Sequence, residues 1–218
     1  MSDWLNTAFA SFDGAAFSFV GGLAERGKQF LTPFFEFVSF FGAGGVFFLI
    51  LSAVLMLFRK TRKTGVTMLI AIGVGALMTN VIIKNAVARP RPYTVDKYYS
   101  IWQNAGSHLE SEYSFPSGHT TVTMTSMTAL FLTTNKKWSW LGLIFALLMG
   151  LSRIYLVVHY LTDVIAGLIV GGIAGTIAYF IVKKLFKFFE NNKDVKFCSF
   201  IINADIINAF KKKPNDKD

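Results

Sequence analysis

The 218-residue sequence predicts an all-α fold: a polytopic bundle of transmembrane helices with five strong spans and an N-terminal interfacial helix or weak sixth span. Three observations carry that prediction. Hydrophobic residues make up 53% of the chain and charged ones only 16%, where a soluble domain carries about a quarter charged residues. Mean hydropathy is +0.46. Charge is also absent from whole stretches (37–58, 64–83, 113–135, 138–152 and 164–182), most of which reach the roughly 20 apolar residues a bilayer-crossing helix needs. Disorder, a coiled coil and an ordinary cytosolic enzyme are excluded.

In chain order, residues 1–42 form an N-terminal segment. Within it Leu5, Ala8, Phe9, Phe12, Ala16, Phe19 and Leu23 recur at helical spacing opposite Asn6, Asp13 and Ser18. That periodicity predicts a helix over 4–24 lying in the membrane interface. A sixth, weak span is the competing reading, because Asp13 is expensive at mid-bilayer. No charged n-region precedes an apolar run, so the segment does not read as a secretory signal. Glycines at 42, 44 and 45 mark a turn, after which helices are expected over 45–58, 64–83, 118–135, 138–158 and 162–182. Short links make antiparallel hairpins of the first and second pairs. The polar 84–117 loop holds three of the five prolines, and a loop of that length in so small a protein is usually functional. Gly167, Gly171, Gly172 and Gly175 mark close helix packing on the last span. The membrane domain is thus 1–189, and 190–218 is a basic tail. Its Phe200–Ile202 and Ile206–Ile207 runs, before Lys211–Lys213, read as a surface-associated helix. The single Cys198 allows no internal disulfide.

The net charge of +9 is unevenly placed. The 59–63 and 136–137 turns and the chain from Lys183 onward carry 15 of the 22 Lys and Arg with five acids, whereas the other side sums to −1. The positive-inside rule puts the basic turns and tail in the cytoplasm and the 84–117 loop outside, at the cell membrane. Topology and attraction to membrane lipids therefore account for the basic excess, and no nucleic-acid partner is expected.

Three clusters at helix ends fall on the outer side. Lys84 closes one helix, and Pro90 and Pro92 force a turn that lets Arg91 swing back towards it. Ser117-Gly118-His119 opens another helix, whose first-turn amides lack internal partners and carry the positive dipole end. Gly118 leaves room for an anion there, and Ser117 can cap the helix. His159 and Asp163, four apart, are neighbours if helical, and a carboxylate beside an imidazole fixes its tautomer. Arg153, six residues before His159, reaches the same pocket only if its helix bends or ends between them. Three cations, helix-terminal amides and two imidazoles describe a site for phosphoryl transfer, where catalysis is largely positioning and charge stabilisation. Asp96, Glu110 and Glu112 are scattered, too few ligands remain for zinc, and no cofactor is expected. His108 is read as solvated.

Lys84…Arg91-Pro92, Pro116-Ser117-Gly118-His119 and Ser152-Arg153…His159…Asp163 match, in order, the three-part signature of the type 2 phosphatidic acid phosphatases, and the chain resembles that superfamily of membrane lipid phosphatases. The resemblance implies that His159 is the nucleophile of a phosphohistidine, that Asp163 orients it, and that His119 protonates the leaving oxygen. Lys84, Arg91, Ser117, Gly118 and Arg153 are then the phosphate-binding residues, and the mechanism needs no metal. A lipid phosphate or diphosphate is the implied substrate. Undecaprenyl diphosphate is slightly favoured over phosphatidylglycerophosphate and phosphatidic acid, because outward topology suits recycling of an envelope lipid carrier. The non-enzymatic alternative is a lipid-phosphate-binding membrane protein, which leaves both histidines without a purpose.

Overall fold

The computed structural model describes residues 1–206. Its helices are α1 (Ser2–Ala8), α2 (Ala10–Phe40), α3 (Val46–Leu57), α4 (Arg62–Ala76), α5 (Lys84–Val87), α6 (Asp96–Asn104), α7 (Gly118–Thr133), α8 (Lys136–Tyr155), α9 (Leu161–Asn191) and α10 (Lys196–Asn203). A π-helix, Leu77–Ile83, joins α4 to α5. The all-helical, polytopic expectation holds, but the span count changes. Four helical stretches are long and apolar enough to cross a bilayer: Ala10–Leu57, Arg62–Thr94, Lys136–Tyr155 and Leu161–Asn191.

Two differences explain the count. The expected 45–58 span is continuous with α2 through a 3-10 turn in which Gly44 and Gly45 take φ of 57° and 71°, a region only glycine enters without strain. The helix expected to stop near residue 24 runs on to Phe40, through Pro33. The other difference is α7, which at 16 residues is short for a span. It occupies the centre of the bundle, packed on α4, α8 and α9. Protein surrounds it, so its flanks can be small and polar: Thr120, Thr121, Thr123, Thr125, Ser126 and Thr128 are all buried.

The N-terminal segment also turns out differently from an interfacial helix facing water. Phe9, Phe12 and Phe19 of the expected apolar stripe are exposed, whereas Asp13 is buried and Leu5, Phe17, Val20 and Ala24 pack inward. In an apolar surrounding the exposed face should be apolar and the polar face should find partners inside, and that is the arrangement adopted. Beginning at this segment, α2 packs on α6, on the start of α9 and on α8.

Glycine sets the spacing between α7 and α9. A Cβ on Gly167 would approach the Ser117 carbonyl to 2.9 Å, one on Gly171 the Thr121 carbonyl to 2.8 Å, and one on Gly175 the Thr125 carbonyl to 2.9 Å. Gly172 does not share this role, since its Cβ would meet only the Met124 methyl at 3.9 Å. At the opposite end, Arg62 donates from Nη1 to the Ile201 carbonyl at 2.9 Å and also to that of Ala204. These bonds hold α10 against the basic 59–63 turn, with Cys198 free and buried. The tail is therefore helical over 196–203, while Lys211–Lys213 lie outside the described residues. Gly171→Ala is expected to destabilise the protein by about 1–3 kcal/mol through overpacking and Gly172→Ala to have little effect; thermal melts of the two detergent-solubilised variants make the comparison.

Candidate active site

Local backbone geometry delivers His159. α8 ends between Arg153 and His159, so that Arg153 lies behind the cavity that His159 lines. Leu156 is its C-cap, and Val157 follows with φ 55°. The Val158 amide donates to the Arg153 carbonyl at 3.2 Å and the Val157 amide to that of Ile154 at 2.9 Å, the paired bonds of a Schellman ending. That position normally takes glycine. A fully buried valine there stores backbone strain, two residues before the imidazole it aims.

His159 lies with Nε2 3.0 Å from Arg91 Nη1. A guanidinium only donates, so Nε2 carries the lone pair and the proton sits on Nδ1. Nδ1 in turn lies 3.4 Å from Asp163 Oδ2, longer than a formed hydrogen bond. Burial, with Arg91, Arg153 and Lys84 nearby, pushes the His159 pKa well below its ordinary value, so the ring is neutral around pH 7. Arg91 also donates from Nε to the Glu112 carbonyl at 2.7 Å and from Nη1 to that of Val158 at 2.9 Å. An arginine guanidinium keeps its charge even when buried.

Lys84, Arg91, Gly118, His119 and His159 line one cavity of about 240 Å³, together with Glu110 and Glu112. Arg153 is buried behind them and donates to Ser39 and Glu110. Ser117 is one layer further back: its hydroxyl caps α7, accepting from the Thr120 amide at 3.4 Å as well as from Thr120 Oγ1 at 2.9 Å, and its amide donates to the Asp163 carbonyl at 3.0 Å. The acids that look scattered in sequence are brought together here. Glu112 pairs with Lys84, and Glu110 with Arg153. The hydrogen bond from Lys84, and then its charge, hold the Glu112 pKa below the usual carboxylate range. His108 is not simply solvated, since Nε2 lies 2.9 Å from Glu36 Oε1. Among the described residues, no three His, Cys, Asp or Glu side chains converge as a metal cage would require.

Sequence reasoning missed Arg89 and Asp13. Arg89 is 1% exposed and donates to Asp13 Oδ2 at 2.8 Å, Asp163 Oδ1 at 2.6 Å, Thr162 Oγ1 at 2.7 Å and Asn6 Oδ1 at 2.9 Å. Its guanidinium also stacks 3.7 Å from the centre of the Tyr160 ring. Asp13 accepts from the Thr162 amide at 2.9 Å, at the positive end of the α9 dipole. The other Asp163 oxygen accepts from the Tyr160 amide at 2.9 Å and from the Ser114 hydroxyl. The signal for Asp13 was present: a lone acid in an apolar helix needs a buried cation.

Comparison with known proteins shows the family. Residues 64–187 match the PAP2 superfamily, and with more than half of its length matched the chain belongs to that family. An undecaprenyl-diphosphatase of Sulfolobus acidocaldarius is 37% identical over 122 residues, which is 55% of this chain and 56% of that protein. The match thus spans little more than half of the archaeal relative. Undecaprenyl-diphosphatase BcrC of Bacillus subtilis is 32% identical over 145 residues, 66% of this chain and 68% of that one. Among solved structures, a transmembrane PAP2-type phosphatidylglycerolphosphate phosphatase from Bacillus subtilis superposes with a TM-score of 0.62 at 26% identity, over 83% of this chain and 87% of that one.

Two expectations follow from the geometry. Arg89→Met strands two buried carboxylates and is expected to cost about 3–5 kcal/mol, read as a lowered melting temperature of the purified protein. A phosphate must displace Glu112 from Lys84; Lys84 is buried, but the Glu112 side chain is 59% exposed, so solvent screening holds the pair to about 1 kcal/mol. Glu112→Gln is therefore expected to tighten inorganic phosphate binding by up to about fivefold in calorimetric titration.

Proposed function

We propose that this protein is an integral membrane phosphatase that hydrolyses a lipid phosphate or diphosphate, with undecaprenyl diphosphate the preferred candidate. The observation that carries the reading is the convergence of Lys84, Arg91, Gly118, His119 and His159, from three separate stretches of sequence, on one cavity. The undecaprenyl-diphosphatases named above support the choice of substrate. The structural likeness to a phosphatidylglycerolphosphate phosphatase supports phosphatidylglycerophosphate as the second candidate.

In this scheme Lys84, Arg91 and Arg153 neutralise the phosphate oxygens, assisted by donors around Ser117 and Gly118. His159 Nε2 attacks phosphorus, and a P–N bond forms as the P–O bond to the leaving group breaks. The bonding electron pair stays on the departing oxygen, which takes a proton from His119. Asp163 stabilises the imidazolium that results, and Arg89 and Ser114 hold Asp163 in position. His119 then removes a proton from water, whose oxygen displaces His159 and releases orthophosphate. Fixed cations supply the positive charge that a metal ion supplies in other phosphatases. The charge asymmetry across the chain supports an extracytoplasmic site and a cytoplasmic tail in a multi-pass protein.

Purified protein is expected to release phosphate from undecaprenyl diphosphate in excess EDTA. His159→Ala is expected to abolish both turnover and the acid-labile phosphoenzyme, and persistence of either in the variant rejects the nucleophile assignment. Because His159 must be neutral to attack and its pKa is depressed, the acid limb of kcat/KM is expected below the ordinary histidine value of about 6.5.

A further inference from the structure

The cavity does not end at the catalytic cluster. One continuous helical run lines it with Lys84, Asn80, Thr79, Ala76, Gly75 and Ile72, so its wall changes from cationic to neutral polar to apolar along a single helix. At a rise of about 1.5 Å per residue, Asn80 lies about 6 Å below Lys84, and Ile72 about 12 Å below Asn80. The polar step coincides with the π-helix Leu77–Ile83, a local irregularity that is frequent at functional sites.

Two side chains on that step have no protein partner among the described residues. The Thr79 hydroxyl is buried without any hydrogen bond, in a residue 1% exposed. Burying a hydroxyl unpaired is costly, and of the four hydroxyls so buried among the described residues (Thr79, Ser126, Thr128 and Ser139) Thr79 is the one on a residue that lines the cavity. Asn80 is exposed, and its side-chain amide, without a hydrogen bond to the protein among the described residues, stands beside the opening of α7. Its Oδ1 and Lys84 Nζ each lie 3.8 Å from the point where a Cβ on Gly118 would stand.

We propose that Thr79 and Asn80 form a second oxyanion subsite that takes the inner phosphoryl group of a lipid diphosphate, making the protein select diphosphates over monophosphates. The inference rests on the phosphatase reading above and adds to it the residues that set substrate class. With the outer phosphoryl group among Lys84, Arg91 and His159, the inner one falls on the next polar step and the hydrocarbon chain on the apolar wall towards Ile72. Neutral donors suit the inner group, because it leaves carrying the electron pair of the broken bridging bond. Donors without charge can hold it during attack without trapping the product. A monophosphate has no oxyanion at this step and leaves the Thr79 hydroxyl unpaired, the circumstance in which hydrogen-bonding sites discriminate most strongly.

The test compares farnesyl diphosphate with farnesyl phosphate, two probes with the same tail, using the full-length protein in detergent micelles. The wild type is expected to favour the diphosphate in kcat/KM. Thr79→Val and Asn80→Ala are each expected to reduce that preference at least tenfold, with Thr79→Ser retaining it. A wild type without preference overturns the subsite, as do variants that lose both activities in equal proportion or keep the wild-type ratio. Failure of the wild type to hydrolyse either probe, or undecaprenyl diphosphate, overturns the phosphatase reading itself.

Discussion

Positive charge crowded into a low-dielectric setting is the constraint on which this structure is built. Lys84, Arg89, Arg91 and Arg153 are all buried at one end of the bundle, where an unpaired charge is far costlier than in water. They are compensated in three ways. Arg89 is fully satisfied by carboxylates, a hydroxyl, an amide oxygen and an aromatic face, and so becomes part of the framework. Lys84 and Arg153 are matched to Glu112 and Glu110, carboxylates on a loop that can yield to a stronger anion. Arg91 spends its donors on two carbonyls and on His159. The gradation separates cations that build the site from cations free to receive a ligand.

The same division shapes the backbone. Residues that need fixed positions sit where helices stop: Arg153 on the last turn of α8, His159 after the strained Val157, and Gly118 at the first turn of α7. Helix ends offer carbonyls and amides that must be paired in any case, and the site uses them. The glycine face of α9 then draws α7 close enough for the Ser117 amide to reach the Asp163 carbonyl. Close packing in the membrane and alignment of the site are thus one contact seen from two sides.

Much of this was legible in the sequence. Charge-free stretches of bilayer length located the membrane helices, and the spacing of Arg153 and His159 required a helix end that the structure supplies. The N-terminal segment was harder, because amphipathic periodicity cannot distinguish a polar face turned to water from one turned towards a buried arginine. α7, expected over 118–135 as a strong span, forms where expected but is shorter and more polar than a lipid-facing helix. A helix enclosed by other helices escapes the length and composition that lipid imposes, and its threonines are packing surface. Glu110 and Glu112 appeared scattered because nothing in their spacing encodes which cation a loop will fold back to meet.

The partners of Arg89 come from both ends of the membrane domain: Asn6 and Asp13 early in the chain, Thr162 and Asp163 late. Synthesis proceeds from the N-terminus, so Asp13 and Arg89 emerge well before Asp163 exists. The nascent chain therefore holds a charge-matched Asp13–Arg89 pair whose bonds to Thr162 and Asp163 stay unmade until the last long helix is inserted. The cluster that holds Asp163 beside His159 is therefore complete only when that helix docks, so the first and last parts of the membrane domain close the site together.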